Sequence, residues 1–174
     1  MQEFYGTKRV AALPMTRLAY NDYRGWQLPR DENGADDGYL VEYKHGGKGN
    51  HPDHVGYISW SPKAQFDAAH QPTSAMSFGH AIAALKEGYR VARSGWNGKG
   101  MFIYLQKGSY DVPPDGSVPH QVGGVPFPLF DDGDHGTTTR MPCMCMRAAD
   151  GSIVTGWLAS QTDILAEDWT ILAD

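Results

Sequence analysis

Met76-Ser77-Phe78-Gly79-His80-Ala81-Ile82-Ala83-Ala84-Leu85-Lys86-Glu87-Gly88-Tyr89-Arg90-Val91-Ala92-Arg93-Ser94-Gly95-Trp96-Asn97-Gly98-Lys99-Gly100-Met101-Phe102-Ile103-Tyr104-Leu105-Gln106 decides the fold. Ser77 is an N-cap residue, and Phe78, Ile82 and Leu85 fall at i, i+4 and i+7, one apolar stripe of a helix running to about Glu87. Gly88 stands where a left-handed residue ends a helix. The period then changes from helical to alternating. Tyr89–Arg93 is strand-like, Ser94–Gly100 is a glycine-rich turn, and Met101–Gln106 is a strand. In that strand Met101, Ile103 and Leu105 share one face, while Phe102 and Tyr104 share the other. One helix followed by short strands joined by turns predicts an α+β module.

The same reading extends in both directions. Downstream, residues 107–140 are rich in Pro and Gly, a length of loop that is usually functional or disordered. A hairpin follows, Cys143–Ala149 and Ser152–Thr155 about the Asp150-Gly151 turn. Leu158–Leu165 reads as a short helix starting near Ala159 or Ser160, and Asp168–Leu172 as a closing strand. Upstream, Thr16 caps a helix that ends at Gly25, and Tyr39–Tyr43 and Val55–Trp60 read as strands. Ser61-Pro62 opens another helix with Pro in its first position, closed off by Pro72. The expected architecture is therefore two small modules, each a short antiparallel sheet with one or two helices. They span 1–71 and 77–174, with a linker at 72–76.

Composition narrows the function. The chain has 174 residues, a formal charge of −5, 21 Gly and 20 aromatic residues. Overall attraction to a nucleic-acid polymer or an anionic membrane is not expected at that charge, and no run approaches the roughly 18 apolar residues of a membrane span. Met1–Tyr5 lacks the basic and apolar stretches of a secretion signal. With only Cys143 and Cys145, a disulfide framework is excluded. One residue apart on a strand, these thiols point the same way and are expected to be buried, in a reducing cytoplasm.

No phosphate-binding or dinucleotide fingerprint is present. His51 and His54 lack further ligands at standard metal spacing and read as part of a solvated loop. Asp131-Asp132-Gly133-Asp134 resembles half of a calcium loop without its downstream Glu, and reads as a hydrated turn. Neither metal nor cofactor is expected. Two tryptophans stand out. Trp96 lies among glycines, flanked by Arg93, Asn97 and Lys99, and Trp157 precedes Ser160, Gln161 and Asp163. Indole rings stack on flat heterocycles, cations meet phosphate, and the polar side chains suit ribose or base edges. The same rings, with Trp169, serve equally as core anchors of a small glycine-rich fold, the commoner use of such residues.

Residues 76–102 and the Asp150-Gly151…Gly156-Trp157-Leu158-Ala159-Ser160-Gln161-Thr162-Asp163-Ile164-Leu165-Ala166-Glu167-Asp168-Trp169 stretch resemble the Thoeris anti-defence proteins of the second type, a phage family. The resemblance implies a non-catalytic sponge that sequesters a cyclic ADP-ribose isomer, in some members also cyclic dinucleotides, as a homotetramer in the bacterial host cytoplasm. On that reading Trp96 and Trp157 stack on bases, Arg93 and Lys99 meet phosphate, and Asn97, Ser160, Gln161 and Asp163 contact ribose or base. Pro142-Cys143-Met144-Cys145 departs from the Pro-His and acidic pattern common before the hairpin in that family. Residues 1–71 resemble a different small phage-protein family of unknown role, through Tyr23-Arg24-Gly25-Trp26, Asp36–Tyr43 and Gly56–Pro62. Two other functions fit the sequence: an enzyme degrading the same signal with Asp163 or Glu167 as general base, and a phage structural or host-interaction protein.

Overall fold

The computed structural model describes residues 1–4, 6–45, 48–107, 121–122, 125–126 and 141–173. The chain forms two compact units, Met1–Gln71 and Pro72–Asp174, each with its own antiparallel sheet. The fold is α+β.

In the first unit, β1 (Ala11–Pro14), β2 (Gly38–Tyr43) and β3 (Tyr57–Pro62) form a sheet in sequential order. Leu40 pairs with Trp60 and Glu42 with Ile58, so the period of two puts Leu40, Ile58 and Trp60 on one face. Helix α1 (Arg17–Arg24) closes that face through the buried Tyr20. Its start and stop are those expected. The Thr16 hydroxyl accepts from the Ala19 N–H, and Gly25 takes the left-handed conformation at φ 67°. Helix α2 (Lys63–Ala69) covers the other face, where Phe66 lies 4.3 Å from Tyr39. Here the sequence reading needs a correction. Pro62 is the N-cap residue, not the first helical one, and Ser61 still belongs to β3. The helix also stops at Ala69, before Pro72 is reached.

Within the described part of the connection before β3, Asn50, His51 and His54 are half-buried and engaged, not solvated, whereas Lys48, Gly49, Pro52 and Asp53 are exposed. Asn50 donates to the Ile58 carbonyl and accepts from the Ile58 N–H, standing in for a fourth strand at the open edge of β3. His51 stacks on Tyr23 at 4.5 Å, and His54 bridges Tyr23 Oη (2.9 Å) and Glu42 (3.3 Å). The Gly56 N–H and then His54 hold the Glu42 carboxyl below its usual range.

The second unit is a five-stranded antiparallel sheet. Its strands are β4 (Val91–Arg93), β5 (Phe102–Gln106), β8 (Cys143–Arg147), β9 (Ile153–Thr155) and β10 (Trp169–Ile171), in the order β10-β4-β5-β8-β9. Residues 107–140, with the Asp131–Asp134 turn, lie largely outside the described residues. Within them, β6 (Gln121–Val122) pairs with β7 (Val125–Pro126). Helix α3 (Phe78–Lys86) packs on the sheet, its Ala81, Ala84 and Leu85 meeting Val91, Ile103, Met146 and Trp169 in one core. Ser77 caps α3 by accepting from the His80 N–H. The register Ile171–Val91–Ile103–Met146–Val154 runs one row of side chains across all five strands. The row is buried at Val91, Ile103 and Met146 and emerges into solvent at Val154 on the β9 edge. The Asp150-Gly151 hairpin forms as expected, with Gly151 left-handed at φ 89°. Of the two thiols, Cys145 is buried and donates to Gln106, whereas Cys143 is half-buried.

Gly38 permits a close approach of chain to ring in the first unit. A Cβ there would overlap the Trp60 indole and the Ser61 carbonyl. Gly38→Ala is expected to destabilise the first unit by about 1–3 kcal/mol, the usual cost of overpacking. A lowered urea midpoint at unchanged slope checks this.

Candidate functional site

Helix α4 (Gln161–Ile164) is a single turn, shorter than the expected Leu158–Leu165 because Leu158 and Leu165 are exposed and have nothing to pack on. It is held by a reciprocal cap. The Ser160 hydroxyl accepts from the Asp163 N–H, while Asp163 Oδ2 accepts from the Ser160 N–H (3.1 Å) and hydroxyl (2.6 Å). This aims the other carboxylate oxygen inward. Oδ1 accepts from Arg93 Nη1 (2.8 Å) on β4 and from Trp96 Nε1 (3.0 Å) in the following turn. The Asp163 carbonyl accepts from Trp169 Nε1 (3.0 Å) on β10.

Arg93 is shared between two carboxylates, since its Nε donates to Asp168 Oδ1 at 2.8 Å. Asp168 in turn accepts from the Gly95 N–H (2.7 Å) and the Ser94 hydroxyl (3.3 Å). The glycine here serves that closeness, because a Cβ on Gly95 would lie 2.7 Å from Asp168 Oδ2. Burial raises the Asp163 pKa. Hydrogen bonds from Ser160, Arg93 and Trp96 outweigh it and bring the value down to about 2. The same two carboxylates raise the Arg93 pKa, Asp168 first.

Above this knot sit three indoles in mutual edge-to-face contact. Trp96 lies 5.4 Å from Trp169 and 6.1 Å from Trp157, with interplanar angles of 79° and 74°. Trp169 is wholly buried, whereas Trp96 and Trp157 are half-buried. All three rings pack in or against the core of the second unit, and Trp96 and Trp157 keep part of their surface accessible.

The structure brings Arg93, Trp96, Ser160 and Asp163 into one hydrogen-bonded cluster, with Trp157 in ring contact. Asn97, Lys99 and Gln161 are exposed beside them in sequence, and their side chains form no hydrogen bond or ion pair with another described residue. Asp168 is the residue that sequence reasoning missed. Its signal was its place directly before the strand that pairs with β4.

Among the described residues, no group of three or more His, Cys, Asp or Glu could hold a metal ion, and no helix is long and apolar enough to cross a membrane. The second unit is a small α+β module that presents a hydrogen-bonded polar cluster backed by aromatic rings. The family model of the Thoeris anti-defense 2-like domain matches residues 76–172. The chain belongs to that family, whose role is anti-defence. It is similar to "Thoeris anti-defense 2" of Bacillus phage SP01, 37% identical over 98 residues, which are 56% of this chain and 96% of that protein.

The knot generates a pH prediction. The folded Asp163 pKa lies below the unfolded value of 3.8, so its stabilisation is complete above about pH 5 and is lost as pH falls through 2. A shift of that size corresponds to roughly 2 kcal/mol. Asp163→Asn is expected to lower stability at pH 7 by about 2–4 kcal/mol, since it leaves Arg93 with one carboxylate. Denaturation followed between pH 7 and 2 should show a weaker acid dependence in the variant than in the parent chain.

Proposed function

We propose that this chain is a phage anti-defence sponge acting in the bacterial host cytoplasm. It binds and sequesters a cyclic ADP-ribose-type signal, with cyclic dinucleotides as a second ligand class, without cleaving it. The observation that carries the reading is the division of labour in the cluster. Asp163 accepts from Arg93, Ser160 and Trp96, and Arg93 donates also to Asp168, so these groups spend their hydrogen bonds within the cluster and fix the indole. The half-buried Trp96 and Trp157 then offer ring surface to a base, and the exposed Lys99, Asn97 and Gln161 offer donors to phosphate and ribose. Such a preorganised surface loses little conformational freedom on binding.

Degradation of the same signal fits less well. A carboxylate titrating near 2 with four donors on its two oxygens is a poor general base at neutral pH, which weakens Asp163 in that role. Assembly as a homotetramer agrees with the open β9 edge, where Ile153 and Val154 are exposed, and with the exposed Leu158 and Leu165.

The test is to load the chain with a cyclic ADP-ribose isomer, remove free ligand, denature by heat and analyse what is released. Recovery of the intact nucleotide is expected, and recovery of a cleaved product contradicts the proposal. Lys99→Ala should weaken binding about tenfold, the loss of one charge-assisted contact, without moving the thermal midpoint.

A further inference from the structure

The first unit carries a line of hydrogen-bonding groups that the sponge reading does not use. It starts on β2 and ends at a tyrosine hydroxyl on α1. Glu42 Oε1 accepts from the Gly56 N–H at 3.0 Å. The other oxygen, Oε2, lies 3.3 Å from His54 Nδ1. His54 Nε2 lies 2.9 Å from Tyr23 Oη. The Gly56 N–H first, and then His54, hold the Glu42 carboxyl below its ordinary range, so it is ionised at neutral pH. A carboxylate can only accept. The proton of the neutral His54 ring therefore sits on Nδ1, facing Glu42, and the lone pair of Nε2 faces the phenol. Tyr23 is the donor in that bond.

The surroundings hold this alignment. Gly56 runs so close to β2 that a Cβ there would overlap the Tyr43 carbonyl. His51 stacks on the Tyr23 ring at 4.5 Å, and His54 meets the same ring edge-on at 5.8 Å. His51 Nδ1 accepts from the Asp53 N–H at 3.3 Å, with the Asp53 carboxylate at 3.9 Å. Lys44 adds a positive charge near Glu42. Glu42, His51 and His54 are half-buried, whereas Tyr23 is 37% exposed. The line thus runs from a shielded carboxylate to a hydroxyl that solvent reaches. An orienting acid, a base and a hydroxyl in that order are the arrangement that activates a weak nucleophile.

We propose that Tyr23 is a nucleophilic modification site that takes an acyl group from an uncharged activated ester. Tyr23 Oη attacks the ester carbonyl carbon while its proton passes to His54 Nε2. The bond from Oη to the acyl carbon forms and the bond from that carbon to the leaving oxygen breaks. The leaving oxygen then takes the proton from His54. Glu42 keeps its charge throughout and stabilises the imidazolium formed in between. An uncharged ester suits the site better than a phosphoryl donor, because the charged groups bonded along the line are the Glu42 and Asp53 carboxylates, which repel an anion. The site lies wholly within the first unit and does not rest on the sponge reading.

The experiment treats the full chain with p-nitrophenyl acetate and maps acetylation residue by residue by peptide mass spectrometry. Tyr57 is the internal reference, since it is 45% exposed and its hydroxyl bonds to no other described residue. Tyr23 is expected to be acetylated at least about tenfold faster than Tyr57, a modest general-base effect. His54→Gln should bring the ratio of the two rates to about one. Mild acidification of the parent chain protonates His54 Nε2 and should do the same, which keeps the test decisive if His54→Gln fails to fold. Equal rates on the two tyrosines of the parent chain overturn the proposal. So does an excess at Tyr23 that survives either His54→Gln or acidification.

Discussion

Everything around the candidate surface depends on one carboxylate. Asp163 ties four parts of the second unit together, namely its own helix turn through Ser160, β4 through Arg93, the glycine turn through the Trp96 indole, and β10 through its carbonyl and Trp169. A four-residue helix cannot hold itself in water. It persists here because its cap is also the acceptor for two side chains from a neighbouring strand and turn. Removing that acceptor would leave a guanidinium and an indole N–H poorly satisfied and release the tryptophan that the surface is built on.

On the proposed sponge reading a chain of charge −5 must face a phosphorylated ligand, and the cluster supplies a way to do so. Asp163 and Asp168 are neutralised internally by Arg93 and by N–H and O–H donors, so their charge is directed inward. Lys99, exposed and without a described ion-pair partner, is left to present positive charge outward. The positive potential that reading requires is local, made by masking acids as much as by adding bases.

Much of the fold was legible because its signals are local. Thr16, Ser77 and the Asp150-Gly151 turn act within a few residues of themselves, and the alternation from Met101 to Leu105 needs only a sheet to lie in. β1 was not legible. Ala11-Ala12-Leu13-Pro14 has weak strand character and is a strand only because β2 offers it an edge. α4 was overextended: the expected helix ran from Leu158 to Leu165, yet both of these residues face solvent and only Gln161–Ile164 is helical. The candidate site was legible as a set of residue types. Its wiring was not, since Arg93 meets its acids 70 and 75 positions away. The sequence placed a helix start near Ser160, but not the reciprocal Ser160–Asp163 cap that gives the aspartate an inward-facing oxygen.

The most direct test of the account is a crystal structure of the chain with a bound cyclic ADP-ribose isomer. The account predicts the adenine ring in contact with Trp96 or Trp157, a phosphate within reach of Lys99, and the Arg93–Asp163–Trp96 hydrogen bonds unchanged. A ligand seated away from both indoles, or an Asp163 carboxylate released from Trp96 to meet the ligand, would contradict it.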